Sequence, residues 1–378
     1  MFDILPLRVL SLDVLPLDVL PLHVTRLLLG FVLGAALGFV VRRGRFCVLG
    51  AIEDATYAND TRRLQSWLVA IGVAIAGLHV FELWGGIDLS RTIYLGARLD
   101  WGALMIGGLI FGFGMALNGT CGLGALRQLG GGDLKALLSF LVIGITAMMT
   151  MRGLTGHLRI AISEPLSWQL PAGFSQRLLE FAGLSGSGAS IAAIVIGLVI
   201  AGLALANGGL RGHSRQTITG AAVGLLVALG WWATGIAGSD DFDTRRIESF
   251  TFIGPLGETL YYAMLSTALQ PDFSVGTVPG VIFGAFIAAR TNGSFKWDAP
   301  VNAADLKRRI FGAALMGFGG VTAMGCTIGQ GVTGLSTLSI GSLLATLSIV
   351  LGARLGLYLR RGAKAASVAT KRASCSEV

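Results

Sequence analysis

The chain has 378 residues, 53% of them hydrophobic and only 13% charged, with a mean hydropathy of +0.72. A soluble globular domain carries about a quarter charged residues, so this composition excludes a water-soluble fold and makes the bilayer the solvent. The net charge of +8 does not indicate nucleic-acid binding, because the basic residues flank apolar stretches instead of forming one patch.

Residues 1–24, MFDILPLRVLSLDVLPLDVLPLHV, repeat an LPLxVL phrase. Prolines at that density do not build a spanning helix, and no basic start precedes an apolar core with a small-residue cleavage site. Residues 1–25 are therefore expected to be a peripheral extension.

A spanning helix needs about 20 mostly apolar residues. Nine stretches meet this: 26–43, 65–84, 101–118, 134–152, 188–207, 216–234, 274–290, 308–325 and 337–359. Residues 157–187 hold Arg, Glu, Pro and Ser and read as an interfacial excursion, while 255–270 is apolar but short, as in a half-helix or surface helix. The expected fold is an all-α polytopic membrane protein of about nine transmembrane helices. It forms a single membrane domain over 26–360, followed by a basic cytoplasmic tail over 361–378.

Basic residues favour the cytoplasmic side. With the N-terminus outside, the inner segments hold 20 of the 29 lysines and arginines, among them Arg42, Arg43, Arg45, Arg62, Arg63, Arg211, Arg215 and Lys307. The expected orientation is N-terminus out and C-terminus in. The acidic residues Asp240, Asp241 and Asp243 then fall in a solvated outer loop.

An internal repeat appears at an offset of 205 residues, where GGLIFGFGMALNGTCGLG (107–124) lies over GAALMGFGGVTAMGCTIG (312–329). Gly107, Gly112, Phe113, Gly114, Cys121 and Gly124 match Gly312, Gly317, Phe318, Gly319, Cys326 and Gly329. An odd number of spans separates the copies, so the second should be inverted relative to the first. The expected halves are about 26–185 and 188–360.

Three of the four cysteines, Cys47, Cys121 and Cys326, each sit at a glycine-rich break beside an apolar helix; Cys375 lies in the basic tail and is assigned no role. None forms a CxxC pair, no Cys/His spacing suits zinc, and the four histidines do not pair in sequence, so neither a disulfide framework nor a metal site is expected. Broken backbone at membrane depth must line a water-filled cavity or be buried in protein. Glycines such as Gly122 and Gly325 let a solute approach the backbone closely, and free N–H groups at such breaks attract anions. A thiol is a weak donor, suited to a solute that must bind and then leave. Arg127, six residues past Cys121, is a candidate anion contact, and Asn118 and Thr327 place polar groups at the breaks. Arg42, Arg43 and Arg45 have two readings, attraction of anions and inner-face topology. No GxxxxGK[ST] motif is present, so direct ATP use is not expected.

The segments RRGRFCVLGAIED, NGTCGLGALRQLGGG and GCTIGQG, with SFTFIGPLG (249–257) and NGSFKW (292–297), resemble the YeeE/YedE family of sulfur-transport membrane proteins, over about Leu27 to Arg360. The resemblance implies an hourglass of nine spanning helices with loops dipping in from both faces of a bacterial inner membrane. It also implies that thiosulfate passes along Cys47, Cys121 and Cys326, and that Gln330 contacts a sulfonate oxygen. Some relatives work beside TusA-like sulfur-carrier proteins. The expected function is therefore uptake of thiosulfate or a related sulfur anion, with no cofactor and no enzymatic step. The alternative is a membrane thiol or persulfide enzyme, or a scaffold, working with such a carrier.

Overall fold

The computed structural model describes residues 21–375 apart from 86, 172–174, 182, 207–213, 240–244 and 300–301, with side chains described to Arg361. The N-terminal repeat, Arg211, His213, Asp240, Asp241, Asp243 and the side chains of the basic tail lie outside these residues.

The chain is helical almost throughout. Its elements are α1 (Leu22–Gly44), α2 (Val48–Tyr57), α3 (Arg62–Leu83), α4 (Trp101–Asn118), α5 (Gly122–Leu129), α6 (Leu134–Arg152), α7 (Thr155–Ser163), α8 (Leu178–Phe181) and α9 (Ser187–Ala206). The second part holds α10 (Ser214–Trp232), α11 (Ile253–Leu265), α12 (Phe273–Thr291), α13 (Ala303–Thr322) and α14 (Ile340–Cys375). Among the described residues the one sheet is a two-residue pair, β1 (Arg98–Leu99) antiparallel to β2 (Trp168–Gln169). It ties the interfacial excursion after α6 back to the segment before α4.

Among the described residues eight helices are long and apolar enough to cross a membrane. The ninth expected stretch is α13, which is 20 residues long but carries Asp305, Lys307, Arg308 and Arg309 in its first two turns. Asp305 pairs with Arg308 and, at 2.9 Å, with Arg309, which gathers that charge at one end of the helix. The apolar remainder of α13 packs between α4 and α6.

Glycine sets how closely these helices approach, since dispersion rather than burial from water holds membrane helices together. A Cβ at Gly34 would lie 2.6 Å from the Thr277 carbonyl, and Gly276 and Gly280 answer from α12, so α1 and α12 run side by side in the same direction. The same holds for α3 and α10 (Gly220 against Ser66, Gly224 against Ala70) and for α4 and α14 (Gly108 against Ala345, Gly112 against Ile349). The crossing of α4 with α13 is antiparallel. There Gly107 meets Gly319 and Gly114 meets Gly312; a Cβ at Gly319 or Gly312 would stand 2.7 Å from the facing carbonyl.

Side-chain ties sort the helix ends into two faces. On one face Arg42 donates to the Arg127 and Ser294 carbonyls, Arg360 donates to the Ala116 carbonyl, and Lys135 pairs with Asp298. On the other, Arg26 donates to the Gly238 carbonyl and pairs with Asp272, while Arg177 pairs with Glu82. Leu22 and Arg361 therefore lie at opposite faces of the bundle. The 255–270 stretch is α11, a half-helix packed against α6 and α12.

Candidate functional site

Cys47, Cys121 and Cys326 occupy one local design repeated three times. A residue in the left-handed region ends the preceding helix two positions earlier: Arg45 (φ 53°), Gly119 (φ 84°) and Met324 (φ 53°). Only glycine takes that conformation freely, so two of the three turns hold a side chain in a strained backbone, as functional sites often do. The reversal places each cysteine at the start of a short helical segment. Its sulfur then accepts from the amide of the glycine three residues on: Gly50 to Cys47 at 3.5 Å, Gly124 to Cys121 at 3.4 Å and Gly329 to Cys326 at 3.3 Å. An N-cap normally uses an oxygen for this. With the sulfur accepting, each S–H proton remains free to donate elsewhere.

The thiols come together although they are far apart in sequence. Cys121 lies within electrostatic range of both Cys47 and Cys326. The Thr327 hydroxyl approaches the Cys121 thiol without a fully formed hydrogen bond. Cys326 is 1% exposed and Cys121 4%. Around the Cys326 sulfur also converge the amides of Ile328 and Phe252 and the Thr251 side chain, a concave set of donors of the kind that binds anions.

Cavities open toward this cluster from both faces. On the Arg42 face, Cys47 lines two of them, about 300 and 640 Å³, whose walls hold Arg45, Arg63 and Arg215, with Arg42, Arg43 and Arg127 in the larger. On the opposite face a cavity of about 460 Å³ is lined by Tyr94, Arg159, Arg246, Glu248 and Thr251, and reaches Met324 and Gly325 of the Cys326 turn.

The other expected residues take distinct places. Gln330 donates through Nε2 to the carbonyls of Ala323 (2.7 Å) and Met324 (3.1 Å). Two carbonyl acceptors fix which end of the amide is nitrogen, so the side chain braces the strained Met324 turn and its Oε1 is left unpaired. Gly325 packs against Gln330, where a Cβ would stand 3.0 Å from its Cγ, and Gly122 faces Phe252 and Ile253. Arg127 lines the larger of the two cavities at Cys47, with a buried Nε that has no hydrogen-bond partner. Asn118 donates to the Thr120 carbonyl at 3.1 Å and accepts from Ser139 at 2.8 Å, so it holds the Cys121 turn together.

Sequence reasoning missed Phe252, Tyr94 and Glu248. The signal for Phe252 was present: it stands 205 residues after Cys47, the repeat offset, and caps α11 where Cys47 caps α2. A search for sulfur alone passes over a phenylalanine. Tyr94 and Glu248 have no local signature, being brought to the cavity by the fold. Among the described residues no group of three His, Cys, Asp or Glu is arranged to hold a metal ion.

Comparison with known proteins identifies relatives of the chain. The family described as Sulphur transport matches residues 43–355. The thiosulfate transporter TsuA of Escherichia coli (strain K12) is 27% identical over 334 residues, covering 81% of this chain and 86% of that protein. The thiosulfate transporter TsuA of Spirochaeta thermophila is 28% identical over 339 residues, covering 85% of this chain and 96% of its own.

Proposed function

The chain belongs to the sulphur transport family, a transporter rather than an enzyme, and on that premise we propose that it takes up thiosulfate or a closely related sulfur anion. The observation that carries this reading is the triple placement of a sulfur on a backbone amide between cavities that open to opposite faces. A passing anion meets S–H donors one after another, each weak enough to release it, and amides at the broken helices offset its charge. The names of the two relatives support thiosulfate in particular.

The excess of arginine and lysine on the Arg42 face supports a bacterial inner-membrane orientation with the N-terminus out and the C-terminus in. The anion then enters through the cavity at Tyr94 and Arg246, meets Cys326, then Cys121, then Cys47, and leaves among Arg45, Arg63, Arg127 and Arg215. The halves 26–185 and 188–360 are read as inverted copies. Supporting this, the matched glycine pairs exchange partners across the antiparallel α4–α13 crossing. The basic exit also suits an acidic, TusA-like sulfur-carrier partner at the cytoplasmic face. A pull-down from which such a carrier is absent, with the full chain as bait, contradicts that partner.

Uptake of labelled thiosulfate into proteoliposomes of purified protein, with sulfate in parallel, tests the reading. Accumulation of thiosulfate well above sulfate is expected, and equal rates for the two would overturn it.

A further inference from the structure

A dianion moving into a cell travels against the membrane potential, so accumulating one calls for a cation to move with it. Glu248 lies on the proposed route of the anion. It lines the cavity of about 460 Å³ together with Glu258, Tyr94, Arg159 and Arg246. Its backbone is pinned at the π-helical end of α10 (Ala233–Ala237), where Thr234 Oγ1 donates to the Glu248 carbonyl at 2.5 Å and lies 3.2 Å from its amide. Single π turns inside or ending helices recur at functional sites.

The surroundings crowd negative charge onto this carboxyl. Asp272 at the start of α12 and Glu258 on α11 act on it from two elements, and Arg26 on α1 and the Ser274 amide on α12 oppose them. The opposing cation is largely committed: Arg26, 1% exposed, donates to the Gly238 and Thr234 carbonyls and pairs with Asp272 at 3.5 Å. Glu258 accepts from Ser274 at 2.8 Å. Burial, then the Asp272 and Glu258 carboxylates, push the Glu248 carboxyl up to about 8. Tyr94, 5% exposed, lies within electrostatic range of both Glu248 and Cys326, so the carboxyl and the first sulfur on the proposed route share one buried neighbour.

We infer that Glu248 is a proton-binding site that couples anion uptake to proton entry, a deepening that rests on the thiosulfate reading. Ionised, Glu248 adds a second carboxylate beside Glu258 to the wall of the cavity that reaches the Cys326 turn, and repels the anion. Protonated, it is neutral, can donate a hydrogen bond, and lets the anion descend. Each proton carried inward lowers by one the charge moved against the potential. The arginines of the same cavity, Arg159 and Arg246, attract the anion in either state.

Two measurements on the same proteoliposomes test this. Exchange of labelled for unlabelled thiosulfate at equal pH reads transport alone. Net accumulation with the outside about one pH unit more acidic reads coupling, and each proton carried raises the accumulation ratio about tenfold per unit of gradient. In the wild type we expect that rise and acidification of the lumen when thiosulfate is added outside. In Glu248→Gln the ratio of accumulation with the gradient to that without falls toward one. In Glu258→Gln the response persists with its midpoint at lower pH, because a carboxylate that raises Glu248 is gone. Exchange that proceeds without any gradient response in the wild type overturns the coupling alone, as does a full response in Glu248→Gln. Absence of exchange in the wild type overturns the transport reading and the coupling with it.

Discussion

The amide of Gly329 donates to the sulfur of Cys326 across 3.3 Å, in a turn whose reversal at Met324 is braced by both amide protons of Gln330. The sulfur is an acceptor within the fold, and on the proposed route its S–H is the donor offered to the anion. Cys326→Ser keeps a cap and replaces the soft sulfur by a hydroxyl that holds an anion more firmly; Cys326→Ala removes both roles. The alanine variant is expected to lose about 1 kcal/mol of stability as a lost cap and at least about tenfold in uptake, equivalent to about 1.4 kcal/mol of barrier. The serine variant should keep its stability and still transport poorly. Thermal unfolding in detergent and initial uptake rates separate the two, and normal uptake by the serine variant contradicts a need for sulfur.

Gln330→Glu retains the size of the side chain but gives the Ala323 and Met324 carbonyls no proton to accept. Two buried acceptors then go unpaired, at about 1–3 kcal/mol each. Loss of thermal stability with uptake abolished is expected. A variant as stable as the wild type would show that the brace at the Met324 turn is dispensable.

The glycine pairs at the α4–α13 crossing allow a third test. A Cβ at Gly319 meets the Gly107 carbonyl at 2.7 Å, and the obstruction is backbone, which cannot swing aside. Gly319→Val is expected to cost about 1–3 kcal/mol by overpacking, and Gly312→Val a similar amount at the matching contact. By contrast a Cβ added at Gly202 would meet no atom of a neighbouring element within 4 Å, so Gly202 should accept alanine with little change. Melting temperatures of the three variants check the ranking.

Glu248 also makes stability depend on pH. Its folded value near 8 stands above the ordinary 4.5, so between those limits the folded protein holds a proton that the unfolded chain has released. Stability then falls as pH rises from about 4.5 to about 8 and levels off above. Glu248→Gln should flatten that part of the profile of melting temperature against pH; an unchanged slope would show that Glu248 does not hold its proton in the fold.

Much of this arrangement was readable from the chain. Hydropathy located the helices, because a bilayer accepts little besides long apolar stretches; α13 has the length expected of the ninth stretch but falls outside the eight that are long and apolar enough to cross, because its first turns carry four charged side chains held at one end. The three cysteine turns were legible because glycine and cysteine at a helix break leave a local mark. The resemblance pointed to Gln330 as a contact for the anion, but the partners of its amide were not legible, since they depend on how the Met324 turn closes. Glu248 and Tyr94 lie in loops separated by more than half the repeat offset, and only tertiary packing brings Tyr94 within range of both Glu248 and Cys326.

The most direct measurement compares labelled thiosulfate uptake by proteoliposomes of the wild type with Cys47→Ala, Cys121→Ala and Cys326→Ala, each checked for folding by thermal melting. If one route runs past all three sulfurs, every folded variant is impaired and none can be rescued by raising the thiosulfate concentration to saturation. Uptake at the wild-type rate in all three would contradict the route.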